Sequence, residues 1–374
     1  MSLYRLVDVL CWFPMPSIPR KTVSARRGHD QKVQLNAIIE TARMLDFMAE
    51  IRRLRWLPKY SVALSKGITA GFWSGLKAFQ ASQNYRGRPR ESSFPFVSSD
   101  TFRAIADIVI AQESPPSILL NVPFPRRSST MMVDLGFIRG GEGAAALLQW
   151  LAEARAQAPG ISLSVILHNH DWVPNRHYLE ALVALGTRVF CVNVLDGING
   201  VTPIPLGLEN LTRRKNGVLD DFLLSHDLMR PPNQQVPPKS NLLFASFKVG
   251  TNPSVRGPLA EKIVDSRFRL SHKRLTMREN RRQTLDSYFV VSPPGNGPDC
   301  HRTWESIYLG AVPVILEGTL AASIADKLPI WVVSDWNELL ASSDQELIQK
   351  YDELIARPRS TAFFPYWLGL VENP

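Results

Sequence analysis

The segment Tyr288–Gly310, which reads YFVVSPPGNGPDCHRTWESIYLG, contains the strongest fold signal in the chain. Its first four residues are apolar and favour β-structure, so they predict a buried strand. The loop that follows, Ser292–Gly297, has two glycines, which allow the backbone to approach a ligand closely. Asp299 predicts the N-cap of a new helix, because an Asp oxygen accepts hydrogen bonds from first-turn amides. This order of elements predicts an anion site at the carboxyl end of the strand.

Two charged side chains of the predicted helix refine this reading. Arg302 lies in its first turn and Glu305 follows three residues later on the same face, about 4.5 Å further along the axis. Arg offers a planar fork that suits a diphosphate, and a carboxylate suits the vicinal hydroxyls of a ribose. The alternative is an ordinary salt bridge between the two side chains on a surface helix.

Strands and helices alternate on both sides of this segment, which implies parallel sheets with helices on both faces. In the first half we predict strands at Phe94–Val97, Ile118–Val122, Leu163–Leu167 and Val189–Val194, and helices capped by Asp100, from the Gly140–Gly143 turn to Ala156, and at Tyr178–Leu185. In the second half we predict strands at Leu242–Phe247, Tyr288–Val291, Val312–Leu316 and Ile330–Val333, and helices near Pro258–Asp265, at Cys300–Leu309 and at Gln345–Arg357.

The length and composition predict more than one domain. The chain has 374 residues, of which 45% are apolar, so it is too long for one compact unit of usual size. Arg230–Ser240 contains four prolines and reads as a stiff hinge between two α/β domains that leave a cleft between them. We expect a helical basic region at 1–90, an acceptor-side Rossmann-like domain at 91–229 and a donor-side one at 241–357. A tail at 358–374 can pack back on the first of these domains.

The net charge of +9 is unevenly distributed. Residues 1–90 hold 16 basic and 5 acidic residues, whereas the rest of the chain holds 27 and 29. Helices are predicted here at Gln31–Arg55 and Lys59–Gln83. Such a basic region is typical of an arm that contacts lipid headgroups, a phosphorylated acceptor or nucleic acid. A solvated basic face is the equally weighted alternative.

Cysteine use and hydropathy indicate where the chain resides. Cys11, Cys191 and Cys300 are an odd number, lie far apart and form no CxxC pair, which favours a reducing compartment. We find no secretory signal and no run of about 20 apolar residues that would span a membrane. The expected location is the cytoplasm, either free or peripheral on the inner membrane face.

The segment Asp299–Leu316 (DCHRTWESIYLGAVPVIL) resembles the C-terminal motif of exostosin-like glycosyltransferases, especially the ribitol xylosyltransferase type and its bacterial relatives. The match is nearly residue by residue over Ser292–Leu316, and weaker similarity covers Pro203–Asn210 and Leu242–Arg256. The resemblance implies a GT-B fold, with two Rossmann-like domains facing a central cleft. It also implies a nucleoside-diphosphate sugar donor, with UDP favoured, no separate cofactor and inversion at the transferred carbon.

By this resemblance, Arg302 and Glu305 carry donor binding and Arg256 lies near the donor phosphates. Lys248 is an alternative to Arg256 for the position near the donor phosphates. Otherwise it belongs to a solvated basic loop. Glu209 and Asn210 either contact the donor or cap a turn. The donor site as predicted comprises Arg302, Glu305, Arg256, Lys248, Ser292, Gly295, Asn296 and His301.

The cluster His168–Asp171 (HNHD) follows a predicted buried strand of the first half. An inverting transfer requires a base that accepts the proton of the acceptor hydroxyl, and a carboxylate or His at a strand end suits that role. Asp171 is the first candidate, His168 and His170 are the second, and Asp100 is a further one. Capping of a helix is the alternative for both aspartates.

Two other functions remain open from the sequence. HxHD is also typical of metallo-hydrolase ligands, but the other five histidines show no second ligand spacing. The sequence has no clear DxD, the motif that holds a metal on the donor diphosphate in GT-A transferases, because Asp220–Asp221 and Asp344–Glu346 lack a preceding apolar strand. We therefore expect metal-independent transfer of a sugar to a glycan or polysaccharide, and this acceptor can be anionic. A lipid- or nucleic-acid-binding protein on a degenerate transferase fold is the non-enzymatic alternative.

Overall fold

The computed structural model describes residues 92–213, 222, 239–268, 270–271 and 275–372. All of these belong to one compact unit, Pro58–Pro374. The predicted basic helices and nearly all of the proline-rich hinge lie outside the described residues. Among the described residues, no helix is long and apolar enough to span a membrane.

The first half is built on a five-stranded parallel sheet. Its strands lie side by side in chain order: β1 Ile108–Ile110, β2 Ser129–Asp134, β3 Leu163–His168, β4 Arg188–Cys191 and β5 Val201–Pro203. The helices are α1 Ser99–Ile105, α2 Leu135–Arg139, α3 Glu142–Gln157 and α4 Arg176–Ala184. Every residue of β3 is buried, as expected for a central strand of a parallel sheet covered on both faces.

The second half contains a four-stranded parallel sheet, again in chain order: β6 Asn241–Phe244, β7 Ser287–Val291, β8 Val312–Leu316 and β9 Trp331–Val333. Its helices are α5 Pro253–Val264, α6 Met277–Leu285, α7 His301–Tyr308, α8 Ala322–Ala325, α9 Asn337–Leu340 and α10 Asp344–Ile355, and the chain ends in α11 Phe364–Glu372. The protein is thus an α/β protein with two parallel sheets, an arrangement consistent with two Rossmann-like halves.

Two predictions for the start of the first half are wrong. Ile118–Val122 is not a strand: Pro116–Asn121 forms a 3-10 helix in which Leu120 is 86% exposed, so the apolar run does not enter the sheet. The segment predicted as a strand at Phe94–Val97 contributes only an isolated bridge, between Phe96 and Phe363. Strand β1, at the edge, and its neighbour β2 were missed because β1 has three residues and β2 (STMMVD) lacks a β-branched run.

The cap of α1 also differs from the prediction. The N-cap is Ser98, whose side-chain oxygen accepts a hydrogen bond from the amide of Thr101 at 3.1 Å. Asp100 lies inside the helix, and its carboxylate accepts a bond from the amide of Leu211 at 2.7 Å. The short Ser side chain satisfies the first-turn amide, which leaves Asp100 to anchor a distant loop.

Helix α7 is shared by the two halves. Trp304, Ile307 and Tyr308 belong to the same apolar core as the first sheet, although the helix follows β7 of the second. The Tyr308 hydroxyl donates to the carbonyl of Ala362 at 2.7 Å and accepts from the amide of Val97 at 3.3 Å. Because one face of α7 is fixed in this core, its other face has a defined position.

The C-terminal helix α11 packs on the first sheet. Phe364 is fully buried in the core of the first half, with its ring 5.2 Å from that of Phe102. The amide of Phe364 donates to the carbonyl of Pro95 at 2.9 Å, and Arg188 donates to the carbonyl of Val371 at 3.0 Å. The chain therefore leaves the second half and ends as part of the first.

If α11 completes the core of the first half, removing a buried ring from it destabilises the protein. We expect Phe364→Ala to lower the free energy of unfolding by about 3–5 kcal/mol, the usual cost of such a cavity. Leu370→Ala is the control in the same helix, because Leu370 is 37% exposed, and it costs less than about 1 kcal/mol. Urea unfolding measures both, and equal losses would show that α11 is not a core element.

Candidate functional site

A cavity of about 560 Å³ lies between the two halves and receives loops from both. The loops that follow β1, β3 and β5 line it from the first half, and the loop after β7 lines it from the second. Nine of the residues predicted for the site line this cavity: His168, His170, Asp171, Arg256, Gly295, Asn296, His301, Arg302 and Glu305. The structure thus brings together most of the predicted donor residues and most of the predicted bases.

Three predicted site residues do not line the cavity. Asp100 is buried and binds the amide of Leu211. Ser292 is buried with its hydroxyl 2.9 Å from that of Thr303, so it joins the end of β7 to α7. Lys248 precedes a short 3-10 turn, and only its carbonyl is used, as an acceptor for Arg256 at 3.1 Å. None of these three side chains is placed to contact a ligand in the cavity.

The start of α7 corrects the predicted cap. The helix begins at His301 with Cys300 as N-cap, and no side chain caps its first-turn amides. Asp299 is buried, and both of its oxygens accept from the Trp304 indole at 2.9 Å. One of them also accepts from the amide of Leu206, in the first half, at 2.9 Å. Burial raises the pKa of Asp299 to about 6, although these hydrogen bonds oppose the shift.

Arg302 and Glu305 both line the cavity, and neither side chain has a hydrogen bond or ion pair to any described residue. The structure therefore does not show the salt bridge that was the alternative reading of this pair. Arg302 is in the first turn, where the free amides and the helix dipole add positive charge. This end of the cavity presents an unpaired cation, with an unpaired carboxylate three residues further along the helix.

Arg256 supplies a second cation that lacks a carboxylate partner among the described residues. It is buried on α5, and its guanidinium donates to the carbonyls of Pro294 at 2.9 Å, Pro293 at 3.1 Å and Lys248 at 3.1 Å. Its pKa is lowered, first by burial and then by the positive charge of Arg302. Arg256 and Arg302 thus bring two positive charges to the cavity, and no carboxylate among the described residues pairs with either.

The glycine loop after β7 touches the HNHD loop of the first half. A Cβ on Gly297 would lie 2.8 Å from the carbonyl oxygen of Asp171, so only glycine fits this approach. The next contact is between side chains, where the Asn296 amide donates to the Asp171 carboxylate at 3.1 Å. These contacts close the cavity between the two loops.

His168 has no free nitrogen in the structure. Its Nε2 donates to the carbonyl of Pro205 at 3.0 Å, and its Nδ1 accepts from the amide of Asn169 at 2.7 Å. Burial lowers its pKa to about 4, so the ring is neutral at pH 7. The predicted role of His168 as a base is therefore not supported by its geometry, and the residue holds the loop in place.

His170 and Asp171 differ in what they present to the cavity. Nδ1 of His170 accepts from the amide of Trp172 at 2.9 Å, so the neutral ring carries its proton on Nε2 and acts as a donor. Asp171 is exposed, and its second oxygen has no partner among the described residues. Of the four predicted bases, Asp171 has the most accessible proton acceptor.

Sequence reasoning missed a network of neutral side chains beside these loops. The Asn210 amide donates to Oδ1 of Asn169 at 2.7 Å, and the Ser99 hydroxyl contacts both asparagines. Asn169 has φ 66°, and Asn193, just beyond the neighbouring strand β4, has φ 60°. Left-handed backbone is unusual for any residue but glycine and is least costly for Asn. An Asn directly after a buried strand was the available signal.

Glu209 connects this network to α7. Its Oε1 accepts from the amide of Asn210 at 3.0 Å, and its Oε2 lies 3.7 Å from Nε2 of His301. His301 also has Nδ1 2.7 Å from the carbonyl oxygen of Gly207. His301 thus fixes the N-terminus of α7 to the first half. Glu209 both caps a turn and lines the cavity.

No protein-family model matches this chain, and no curated protein is significantly similar to it. Among the described residues, His, Cys, Asp and Glu side chains form no group of three or more that could hold a metal ion. Evidence for a function therefore comes from the geometry of the cavity.

The buried state of His168 predicts a pH effect on stability. Its pKa is about 4 in the folded chain and about 6.5 when unfolded, so its contribution is complete above pH 6.5 and is lost as pH falls towards 4. Between pH 7 and pH 5 this loss is about 2 kcal/mol. In His168→Gln, whose amide does not titrate, that part of the acid sensitivity disappears.

Urea unfolding at both pH values measures the difference between wild type and variant. His177→Gln is the control, because His177 is exposed on α4 and its solvent-screened ion pair with Glu180 changes the acid sensitivity far less. An identical loss of stability in wild type and His168→Gln would contradict the buried, neutral imidazole.

Proposed function

We propose that this chain is a glycosyltransferase that transfers a sugar from a nucleoside-diphosphate sugar, with UDP favoured, to a glycan or polysaccharide. One observation carries the proposal: Arg256 and Arg302 both line the cavity, and neither has a carboxylate partner among the described residues. A diphosphate matches this arrangement, because its two negative groups balance both cations and its oxygens accept hydrogen bonds from the Arg302 guanidinium and the free helix amides.

Glu305 extends the proposed donor site beyond the diphosphate. It lies on the same helix face as Arg302, three residues deeper, and its carboxylate has no partner among the described residues. A carboxylate at this distance suits the two hydroxyls of a ribose, which both donate hydrogen bonds. The nucleoside of the donor would therefore extend along α7, and the diphosphate would lie at the N-terminus of that helix.

Transfer of the sugar leaves new negative charge on the diphosphate. Cations that already lie at that position stabilise the charge as it forms, since they need no reorganisation during the reaction. In the proposed mechanism Arg302, Arg256 and the helix amides perform this role without a metal. The acceptor hydroxyl attacks the donor carbon from the opposite side, with inversion, and its proton passes to Asp171 across the cavity.

The resemblance of Asp299–Leu316 to exostosin-like glycosyltransferases agrees with this proposal, and by analogy we propose that the two halves form a GT-B fold. The strand order is sequential among the described strands, without the reversal that marks the ligand site of doubly wound folds. The cavity nevertheless lies at the carboxyl ends of parallel strands from both sheets.

The alternative functions have less support. A metallo-hydrolase would use the HNHD cluster, but His168 has both ring nitrogens in hydrogen bonds and offers no lone pair to a metal. Binding of anionic lipid or nucleic acid would depend on residues 1–90, which lie outside the described residues. In our proposal this region places a cytoplasmic enzyme near a membrane or a charged polymer.

The test is hydrolysis and transfer of UDP- and GDP-sugars by the purified chain in excess EDTA. We expect Arg302→Ala to lower turnover by roughly 10²–10³, the usual effect of removing one group that stabilises developing charge. Glu305→Gln should weaken nucleotide binding by about tenfold or more, because a charged acceptor of hydrogen bonds is lost.

Lys327→Ala is the matched control, because it removes an exposed cation of the second half that does not line the cavity. It should behave like wild type. Wild-type turnover and nucleotide affinity in both Arg302→Ala and Glu305→Gln would contradict the donor site. A requirement for a divalent ion would contradict metal-independent transfer.

A further inference from the structure

The end of the cavity formed by the first half differs in chemistry from the end at α7. Its wall consists largely of neutral polar side chains: Ser99, Gln112, Asn169, His170 and Asn210. The charged residues among them are Asp171, Glu209 and Arg213, and Arg213 lies 4.0 Å from the Glu209 carboxylate. The opposite end contains the guanidinium groups of Arg256 and Arg302, neither of which has a carboxylate partner among the described residues. The cavity is therefore divided into a cationic end and a neutral to acidic end.

Asn169 is oriented so that its amide nitrogen remains available. Its Oδ1 accepts from Asn210 at 2.7 Å and from Ser99 at 3.3 Å, which identifies the oxygen end of the side chain. The Nδ2 group has no partner among the described residues, and its two hydrogens can be donated to a ligand. The neighbouring His170 presents a second donor, Nε2–H, because its Nδ1 accepts from the amide of Trp172.

The backbone around these donors is held in place at a cost. Asn169 has left-handed φ, a conformation that the surrounding structure must maintain. Asn193 also has left-handed φ, and its side-chain amide donates to the carbonyl of His170 at 2.8 Å. Two strained residues after adjacent strands thus support one loop, which is typical of a preorganised binding site.

We propose, on the basis of the proposed function, that this neutral end binds the hydroxyl groups of an uncharged sugar or alditol acceptor, with Asn169 and His170 as its hydrogen-bond donors. Amide and imidazole N–H groups donate to hydroxyl oxygens, and the carboxylate of Asp171 accepts from a hydroxyl. This combination recognises a polyhydroxyl surface. A phosphorylated or acidic acceptor bound at this end would lie beside the Asp171 carboxylate, one oxygen of which has no partner among the described residues, so charge repulsion disfavours it.

The test measures direct binding by saturation-transfer NMR on the full chain, with and without saturating UDP. The probes are maltose and ribitol as uncharged ligands, and glucose 6-phosphate as the charged one. With UDP saturating the cationic end, wild type should bind an uncharged probe at least tenfold more tightly than glucose 6-phosphate. Asn169→Asp keeps the accepting oxygen but replaces the donor with an acceptor, and it should weaken that binding by about tenfold or more.

His170→Asn provides an independent variant, because it keeps an acceptor for the amide of Trp172 and removes the Nε2–H donor. It should weaken binding of the uncharged probe in the same direction. Asn175→Asp is the control for added charge, since residue 175 caps α4 and Asp caps equally well. It should leave sugar binding unchanged, and UDP affinity should not change in any of the three variants.

The outcomes separate this subsite from the donor site. Loss of sugar affinity in Asn169→Asp and His170→Asn, in a chain that does not bind UDP, would retain the subsite and contradict the proposed function. Tighter binding of glucose 6-phosphate than of maltose or ribitol in the presence of saturating UDP would overturn the subsite, as would wild-type sugar affinity in both variants. Failure of the wild type to bind either uncharged probe, with or without UDP, would overturn it as well.

Discussion

The rest of the site depends on two positive charges, Arg256 and Arg302, which line one cavity without a carboxylate partner among the described residues. Arg256 is buried and gives its hydrogen bonds to carbonyls of the proline-glycine loop and of Lys248, so it shapes that loop without being neutralised by it. Arg302 adds a second positive charge at a helix mouth where free amides already favour an anion. Two like charges in one cavity are unfavourable when no described carboxylate pairs with either, and the arrangement is explained most simply if an anionic ligand supplies the missing charge.

The position of this charge pair follows from how α7 is held. Its apolar face lies in the core of the first half, through Trp304 and Tyr308, while Asp299 before it binds an amide of the first half. His301 adds a further bond to that half. Helix α7 follows a strand of the second half, but its contacts with the first half fix its position. The cavity residues of the two halves therefore keep a defined position relative to each other.

The strands and helices with long apolar patterns could be predicted from the sequence, and β3, β7, β8 and α7 lie within a residue of their predicted bounds. Strands β1 and β2 could not, because three residues or a Met-rich run give too little periodicity. The Asp299 cap was wrong because a buried Trp304 indole and a distant amide compete for the carboxylate, and sequence spacing does not show such tertiary partners. The hydrogen bond between Asn169 and Asn210 was missed for the same reason.

The central claim is that the two arginines form a diphosphate site. Calorimetric titration of the wild-type chain with UDP and with uridine, and with GDP and guanosine, in excess EDTA tests it most directly. The account predicts that one diphosphate binds at least about 100-fold more tightly than its nucleoside, with an affinity that falls as salt rises. Equal affinity of the diphosphates and their nucleosides, or no binding of either diphosphate, would contradict it.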